Sequence, residues 1–263
     1  GIRYQNYPAG NVSYARFDHA TQAIKYENNI DYSNSNQYSD TLRVRHNKIM
    51  NSGAAISVGY TKVNMCIESN YYEGPGSFVN ARYNYTNTFN LIHRIRGNTS
   101  KGGSIYIYYA QSSTDDNYEI TYDISNNTLD RSIIVQTLDN ALITGNKLTL
   151  SQNSYGVEAY QLAKSTIKNN QLTGHSFGSY GIYLNRSNST VSDNVISKFS
   201  TGIYVYTDFT NPTFDSLLRN TVVFNGSKGI YVSDYGRVLA HYNNIYDNYD
   251  TASYNESSSQ YFQ

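Results

Sequence analysis

Short apolar segments that alternate with polar positions recur along the whole chain. The clearest example begins at Gly181 with the segment GIYL. A polar stretch and the segment VSDNVI follow, and a second similar segment, GIYVY, begins at Gly202. Alternation with a period of two is typical of half-buried β-strands, and each segment is only three to five residues long. The pattern therefore predicts many short strands, and the 3.6-residue period of helices is missing.

An asparagine marks the same point of each repeat. It follows an apolar residue by about three positions and precedes another, and the series runs Asn29, Asn47, Asn70, Asn98, Asn127, Asn146, Asn170, Asn194, Asn220 and Asn244. Successive members are 18 to 29 residues apart. We expect this Asn to adopt the left-handed conformation of a bend and to hydrogen-bond to the Asn of the next repeat, forming a ladder.

A period in the twenties with short β-branched segments is the sequence signature of a solenoid. Such strands bury little alone, but stacked in coils they pair in parallel, about 4.8 Å apart, around a continuous apolar column. Leucine-rich repeats have a similar period, but their L-x-x-L-x-L spacing is missing. Helical repeats are excluded because Gly and Asn interrupt every segment.

The repeat resembles that of the right-handed parallel β-helix family, the pectin- and pectate-lyase-like proteins, in which G-I-x-V and I-x-x-N-x-I recur. The resemblance covers residues 10–248, about ten coils. It implies an all-β fold, a single-stranded right-handed parallel β-helix. We expect residues 1–263 to form one domain, with residues 249–263 as a polar, frayed tail.

Composition narrows the chemistry. Formal net charge is zero and 15% of residues are charged, so no basic surface for nucleic acid is expected. Cys66 is the only cysteine, which excludes an intrachain disulfide and favours a small buried residue. No apolar run approaches the ~20 residues of a membrane helix, so no membrane insertion is expected. The histidines lack metal-ligand spacing, and we expect no metal and no cofactor.

One face of the predicted coils is rich in tyrosine. Because side chains alternate across a strand, G-I-Y-V directs Ile and Val inward and Tyr outward. The first outward column is predicted to contain Ser57, Tyr106, Ile134, Glu158, Tyr183, Tyr204 and Tyr231. The second is predicted to contain Tyr108, Gln136, Tyr160, Asn185, Tyr206 and Ser233.

Two interpretations of this face stay open. Tyr forms strands well and stacks on its neighbours, which gives it a structural role. Alternatively, the exposed rings are a platform on which sugar rings stack. The substrate-binding candidates are Tyr106, Tyr160, Tyr183, Arg186, Tyr204, Tyr206 and Tyr231.

The catalytic candidates are Glu158, Asp139 one coil before it and Asp208 two coils after it. Polysaccharide hydrolases need two carboxyl groups, about 5 Å or about 6.5–9.5 Å apart, which one and two coils would provide. Arg186, one coil after Glu158, could hold the carboxylate of an acidic sugar. Scattered acids are also typical of any solvated β-helix wall, so a structural interpretation stays open.

Specific enzyme motifs of the family are incomplete. Asp115–Asp116 and Gly174–His175 resemble parts of the polygalacturonase pattern, but Arg94-Ile95-Arg96 precedes both, in the wrong order. The arginine–proline motif of pectate lyases and the D-P-H of alginate epimerases do not occur.

The Asn- and Tyr-rich coils without a capping helix most resemble a bacteriophage tail spike or tail-fibre β-helix. That resemblance implies a homotrimer on the virion tail that binds a polysaccharide of the bacterial cell envelope, with depolymerisation as an open extension. One alternative is a free secreted polysaccharide lyase, epimerase or glycosidase. Another is a non-catalytic adhesin or surface-layer solenoid at the cell surface.

Overall fold

The fold is a solenoid of three parallel β-sheets, in which each coil gives one strand to each sheet. The described residues of the computed structural model form 31 strands and no helix. They are residues 1–5, 10–27, 41–59, 64–83, 91–109, 120–136, 140–162, 164–175, 177, 179–208, 213–233 and 235–255.

The strands follow one another in strict rotation through the three sheets. Sheet 1 contains β1 (Ile2–Gln5), β4 (Gln22–Glu27), β7 (Ala54–Gly59), β10 (Ser77–Tyr83), β13 (Ile105–Tyr109), β16 (Ile133–Gln136), β19 (Val157–Tyr160), β22 (Tyr180–Asn185), β25 (Thr201–Tyr206), β28 (Lys228–Val232) and β31 (Thr251–Asn255). Sheet 2 contains β2 (Gly10–Ser13), β5 (Thr41–Arg45), β8 (Asn64–Glu68), β11 (Leu91–Arg96), β14 (Ile120–Ser125), β17 (Asn140–Thr144), β20 (Lys164–Lys168), β23 (Ser189–Ser192), β26 (Phe214–Leu218) and β29 (Arg237–His241). Sheet 3 contains β3 (Arg16–Asp18), β6 (Lys48–Met50), β9 (Tyr71–Glu73), β12 (Thr99–Lys101), β15 (Thr128–Leu129), β18 (Lys147–Thr149), β21 (Gln171–Thr173), β24 (Val195–Ser197), β27 (Thr221–Val223) and β30 (Asn244–Tyr246).

The regular strands extend further than the sequence predicts. β1 begins at Ile2, before the predicted first coil, and β31 pairs in register with β28, Tyr231 opposite Tyr254. Residues 251–255 of the predicted tail thus form a paired strand. The rest of that tail, residues 256–263, lies outside the described part of the chain.

Inward side chains stack on their counterparts in the adjacent coils and form the apolar column. In sheet 1, Ile182, Ile203 and Ile230 occupy one register position, and all three are fully buried. Sheet 2 provides a similar row, in which Ile143 follows Ile124. Because each coil repeats the same side-chain shapes, strands too short to form a core alone share a continuous one.

The bend from sheet 2 to sheet 3 depends on the residue before the repeated asparagine position, not on the asparagine itself. Ten such residues have φ between 53° and 63°: Tyr14, His46, Ser69, Gly97, Asn126, Gly145, Asn169, Asp193, Arg219 and Tyr242. The prediction that the ladder Asn itself is left-handed is therefore wrong. Residues other than Gly adopt the left-handed backbone conformation at a cost in free energy. The hydrogen bonds of the ladder residue that follows offset this cost.

The asparagine ladder is confirmed, with changes at both ends. It contains Asn47, Asn70, Asn98, Asn127, Asn146, Asn170, Asn194, Asn220 and Asn243. Asn29 lies outside the described residues, and the backbone N–H of Ala15 donates to Oδ1 of Asn47. At the other end, Asn243 accepts from Asn220 at 2.9 Å. The predicted rung Asn244 is instead an exposed residue that begins β30.

Candidate functional site

The outward face of sheet 1 carries the predicted columns in register. The first column reads Arg3, Lys25, Ser57, Asn80, Tyr106, Ile134, Glu158, Tyr183, Tyr204 and Tyr231. Asn80 was missed because β10 lacks the Gly-Ile signal of the other strands. In the second column, Tyr160, Asn185 and Tyr206 are neighbours as predicted, whereas Ser233 is buried and accepts from the N–H of Thr207.

Four tyrosine rings form a tyrosine stack, which we define as Tyr155, Tyr183, Tyr204 and Tyr231. Ring centroids lie 5.5 Å apart between Tyr155 and Tyr183, with planes inclined by 24°. They lie 5.3 Å apart between Tyr183 and Tyr204, and 4.7 Å between Tyr204 and Tyr231. The ring faces therefore cover one another, and the hydroxyl of Tyr183 accepts a hydrogen bond from Nδ2 of Asn185 at 3.0 Å.

This orientation differs from the expected platform of exposed ring faces on which sugar rings stack. A sugar ring cannot lie against ring faces that already contact other rings, so the tyrosine stack offers a ligand edges and phenol groups. Two further rings meet Tyr204 edge-on, Tyr180 at 67° and Tyr206 at 71°. Tyr155 and Tyr180 were missed by the sequence analysis. Their signal is the position before Gly156 and Gly181, directly preceding the repeated phrase.

Glu158 lies within this face, between Ile134 and Tyr183 in register, and is 9% exposed. Burial raises the pKa of its carboxyl group, while a hydrogen bond from Gln136 acts in the opposite direction. The Nε2 of Gln136 donates to Oε1 of Glu158 at 3.2 Å, and the hydroxyl of Tyr106 donates to Oε1 of Gln136 at 3.3 Å. A hydrogen-bonded line thus crosses three coils and ends at a carboxyl group with raised proton affinity.

The predicted catalytic partners do not join Glu158. Asp139 lies outside the described residues. Asp208 follows the end of β25, four residues after Tyr204, which is the register partner of Glu158 two coils on. Asp208 therefore does not lie directly two coils from Glu158, as the predicted ~6.5–9.5 Å carboxyl pair requires. The coil spacing alone does not include this displacement along the chain.

Arg186 is already paired. Its Nη2 forms a close ion pair with Oδ2 of Asp208. Arg186 follows β22 with a φ of 53°, which directs the chain around the corner between sheets 1 and 2. The side chain predicted to hold an acidic sugar is therefore neutralised by the side chain predicted to be catalytic.

The opposite end of the same face contains a polar groove of about 370 Å³. We define the polar groove by its lining residues, Gln22, Lys25, Glu27, Ser57, Val58, Gly59, Asn80 and Arg82. The small residues Ser57 and Gly59 lie between coils with long side chains, which leaves the space. A Cβ at Gly59 would come within 3.6 Å of Cγ of Glu27, so a larger side chain there would reduce the groove.

The polar groove continues toward Glu158. Asn80 and Arg82 pair in register with Tyr106 and Tyr108 of the next coil. Burial raises the pKa of the Tyr106 hydroxyl. The positive charge of Arg82 lowers this pKa and the negative charge of Glu158 raises it, so Arg82 and Glu158 both act on the Tyr106 hydroxyl. One surface therefore contains, in order along the solenoid, the polar groove, the hydrogen-bonded line from Tyr106 through Gln136 to Glu158, and the tyrosine stack.

A family comparison supports the architecture. The model described as right handed beta helix region matches residues 113–263, more than half of the chain. The chain belongs to the right-handed β-helix family. No curated protein and no solved structure matches it significantly.

The matched part of this right-handed β-helix carries Glu158 and the tyrosine stack, whereas the polar groove precedes it. The coils before residue 113 nevertheless continue in the same register, since β10 pairs with β13 over five residues. Both halves of the surface therefore lie on one continuous sheet.

Among the described residues, no group of three or more His, Cys, Asp or Glu could hold a metal ion. Within that part of the chain, no helix has the length and apolarity needed to cross a membrane.

Proposed function

We propose that this β-helix binds an extended polysaccharide of the bacterial cell envelope along the outward face of sheet 1. The observation that carries the proposal is the continuous polar surface from the polar groove through Tyr106 and Gln136 to Glu158. Hydroxyl, amide and charged groups that line a concave surface are the partners that sugar hydroxyls require. The coils repeat at about 4.8 Å, so similar groups recur along a linear glycan.

An acceptor for a sugar hydroxyl is present in the groove. Oδ1 of Asn80 is buried and has no hydrogen-bond partner in the part of the chain that the structure describes. A buried polar atom without a partner is costly, by about 1–3 kcal/mol. A ligand hydroxyl that donates to Asn80 would remove this cost. Lys25, Glu27 and Arg82 supply charged groups around it.

The experiment is a binding assay with purified bacterial capsular and lipopolysaccharide glycans. Ser57→Tyr should fill the polar groove and abolish binding, because Ser57 points outward at its floor. The matched control is Ser216→Tyr, at an outward, half-buried position of sheet 2. If Ser57→Tyr bound the glycan as tightly as wild type, the groove would not be the site.

A second candidate function is depolymerisation, and the observation that favours it is the buried, protonation-prone Glu158. A carboxyl group with raised pKa can act as the general acid that protonates a leaving glycosidic oxygen. Glu158→Gln should then abolish the release of shortened glycans while leaving binding unchanged. Unchanged release by the variant would exclude Glu158 as that acid.

We also propose that the chain assembles as a homotrimer in a phage tail spike, rather than acting as a free secreted enzyme or an adhesin. The half-exposed rings of Phe177 and Phe224 are compatible with a subunit contact. Mass in solution tests the assembly. A monomer of 29.7 kDa would exclude the trimer.

A further inference from the structure

The outward face of sheet 2 carries a charged cluster that the proposed glycan site does not use. We define the arginine cluster as Arg43, Arg45, Cys66, Glu68, Arg94, Arg96 and Asp123. These residues lie on β5, β8, β11 and β14, four consecutive strands of the sheet. Four arginines and two carboxylates leave an excess of two positive charges, although the formal net charge of the whole chain is zero.

Each carboxylate of the arginine cluster already has an arginine. In one column, Glu68 lies in register between Arg45 and Arg96, and Nε of Arg45 is 3.1 Å from its Oε2. Asp123 forms a close ion pair with Arg96. Burial alone would raise the pKa of Asp123, but the hydrogen bonds from Arg96 and Ser125 and the nearby arginine charges lower it. Each of these acids is therefore paired with one arginine, and Asp123 also experiences the charge of Arg94, its register partner.

In the neighbouring column the position between the two arginines holds no anion, although Asp123, the ion-pair partner of Arg96, follows Arg94 in register. Cys66 lies in register between Arg43 and Arg94, as Glu68 does between Arg45 and Arg96. Burial raises the pKa of the Cys66 thiol, so the sulfur stays uncharged and accepts a hydrogen bond from Nη2 of Arg45 at 3.0 Å. Neither Arg43 nor Arg94 forms an ion pair with any described residue.

The spacing suits one external group. Arg43 and Arg94 are two coils apart, about 9.6 Å between Cα atoms, on the same face of the sheet. Two arginine side chains can converge on one ligand across that distance, directly above the small side chain of Cys66. A guanidinium is a planar fork that matches a carboxylate through two parallel hydrogen bonds.

We propose that the outward face of sheet 2 binds a carboxylate of an external ligand, such as a uronic acid unit, between Arg43 and Arg94. The ligand takes the place that Glu68 occupies in the adjacent column. This site is on a different sheet from the polar groove and does not depend on the proposed glycan function.

The test is a titration followed by the side-chain Nε–H signals of ¹⁵N-arginine-labelled protein. The probe is methyl glucuronoside, and the controls are methyl glucoside and inorganic sulfate. We expect the glucuronoside to shift Arg43 and Arg94, to leave the exposed Arg237 of the same sheet unchanged, and to bind more weakly as salt rises. Arg43→Gln with Arg94→Gln should weaken binding at least roughly tenfold.

A matched pair of substitutions isolates the missing charge. Cys66→Asp supplies the carboxylate from within the chain and should abolish binding of the probe, whereas Cys66→Asn, of equal size without the charge, should retain it. Shifts at Arg237 equal to those at Arg43, or equal binding by the double arginine variant, would overturn the site. Equal affinity for sulfate would overturn its assignment to a carboxylate. The arginine variants keep the test decisive should either Cys66 variant fail to fold.

Discussion

Asn194 accepts two hydrogen bonds from Asn170 of the preceding coil, one from its backbone N–H and one from its Nδ2, each at 2.9 Å. Its own Nδ2 donates to the carbonyl of Ile167 and to Oδ1 of Asn220. All of these groups are buried, so each rung of the ladder satisfies polar atoms that water cannot reach.

Asn194→Ala should therefore be strongly destabilising. It leaves two buried donors of Asn170 without an acceptor, and each such loss costs about 1–3 kcal/mol. We expect the free energy of unfolding to fall by roughly 2–4 kcal/mol, measured by denaturant unfolding. The matched control is Asn244→Ala, an exposed asparagine outside the ladder, which should change stability by less than about 0.5 kcal/mol. Equal effects of the two substitutions would contradict the ladder.

Ile203→Ala tests the apolar column. Ile203 is fully buried and lies in register between Ile182 and Ile230, so the substitution leaves a cavity within a continuous stack. We expect a loss of about 2–5 kcal/mol in the free energy of unfolding. Val195→Ala, at an aliphatic position of the adjacent sheet that is 45% exposed, should have little effect. An unchanged unfolding midpoint for Ile203→Ala would show that the register is wrong.

The sequence predicts the sheets well and their corners less well. The alternation in G-I-Y-V places Ile203 inward and Tyr204 outward because burial in a strand has a strict period of two. At the last ladder rung, two asparagines follow one another, and the pattern cannot distinguish Asn243 from Asn244. That choice depends on which residue takes the left-handed conformation, and in this coil Tyr242 does.

The sequence predicted which outward residues of sheet 1 are neighbours in the candidate site, but not how their side chains are oriented. Register follows from the repeat, so the neighbours of Glu158 could be named. The orientation of the rings could not be predicted from the sequence, because side-chain torsion angles decide how Tyr183 stacks on Tyr204. Arg186 and Asp208 lie at the corner between sheets 1 and 2. The two-residue period of strands does not apply there, so the sequence could not predict their ion pair. The arginine cluster was not predicted, because it lies on sheet 2, whose strands lack the Gly-Ile-Tyr phrase that marks the outward face of sheet 1.

Asp215 should make stability depend on pH. It is fully buried in β26, where its Oδ1 accepts from the N–H of Ser189 at 2.8 Å, and burial raises its pKa from 3.8 to about 8. Between these values the folded protein holds a proton that the unfolded chain releases. This contribution to stability is complete below about pH 4 and is lost as pH rises toward 8, at roughly 1.4 kcal/mol per pH unit.

Asp215→Asn keeps the shape and the acceptor for Ser189 but cannot ionise. The variant should gain stability over wild type as pH rises from 5 to 8, measured by denaturant unfolding at each pH. Asp250→Asn, at an exposed position, is the control for removal of one negative charge. Parallel pH profiles for wild type and Asp215→Asn would refute the prediction.

The tyrosine stack can be separated into its rings and its hydroxyl groups. The double variant Tyr183→Phe with Tyr204→Phe keeps the two rings, whose centroids lie 5.3 Å apart, and removes only their hydroxyl groups. The double variant Tyr183→Ser with Tyr204→Ser removes the rings together with the phenolic hydroxyl groups. The Ser pair should lower the melting temperature, because each lost stacking contact adds about 0.5–1.5 kcal/mol to the loss of buried area. The Phe pair keeps the stacked rings and loses the hydrogen bond from Asn185 to Tyr183, so its melting temperature should fall less than that of the Ser pair.

Binding then decides what the stack contributes to function. Since the ring faces cover one another, a glycan along sheet 1 can reach only edges and hydroxyl groups, and the Phe pair should bind the glycan more weakly despite its intact fold. Affinity electrophoresis of both pairs against the glycan recognised by wild type provides the measurement. Wild-type affinity in the Phe pair, together with the lower melting temperature of the Ser pair, would mean that these tyrosines stabilise the coils and that the glycan contacts lie in the polar groove alone.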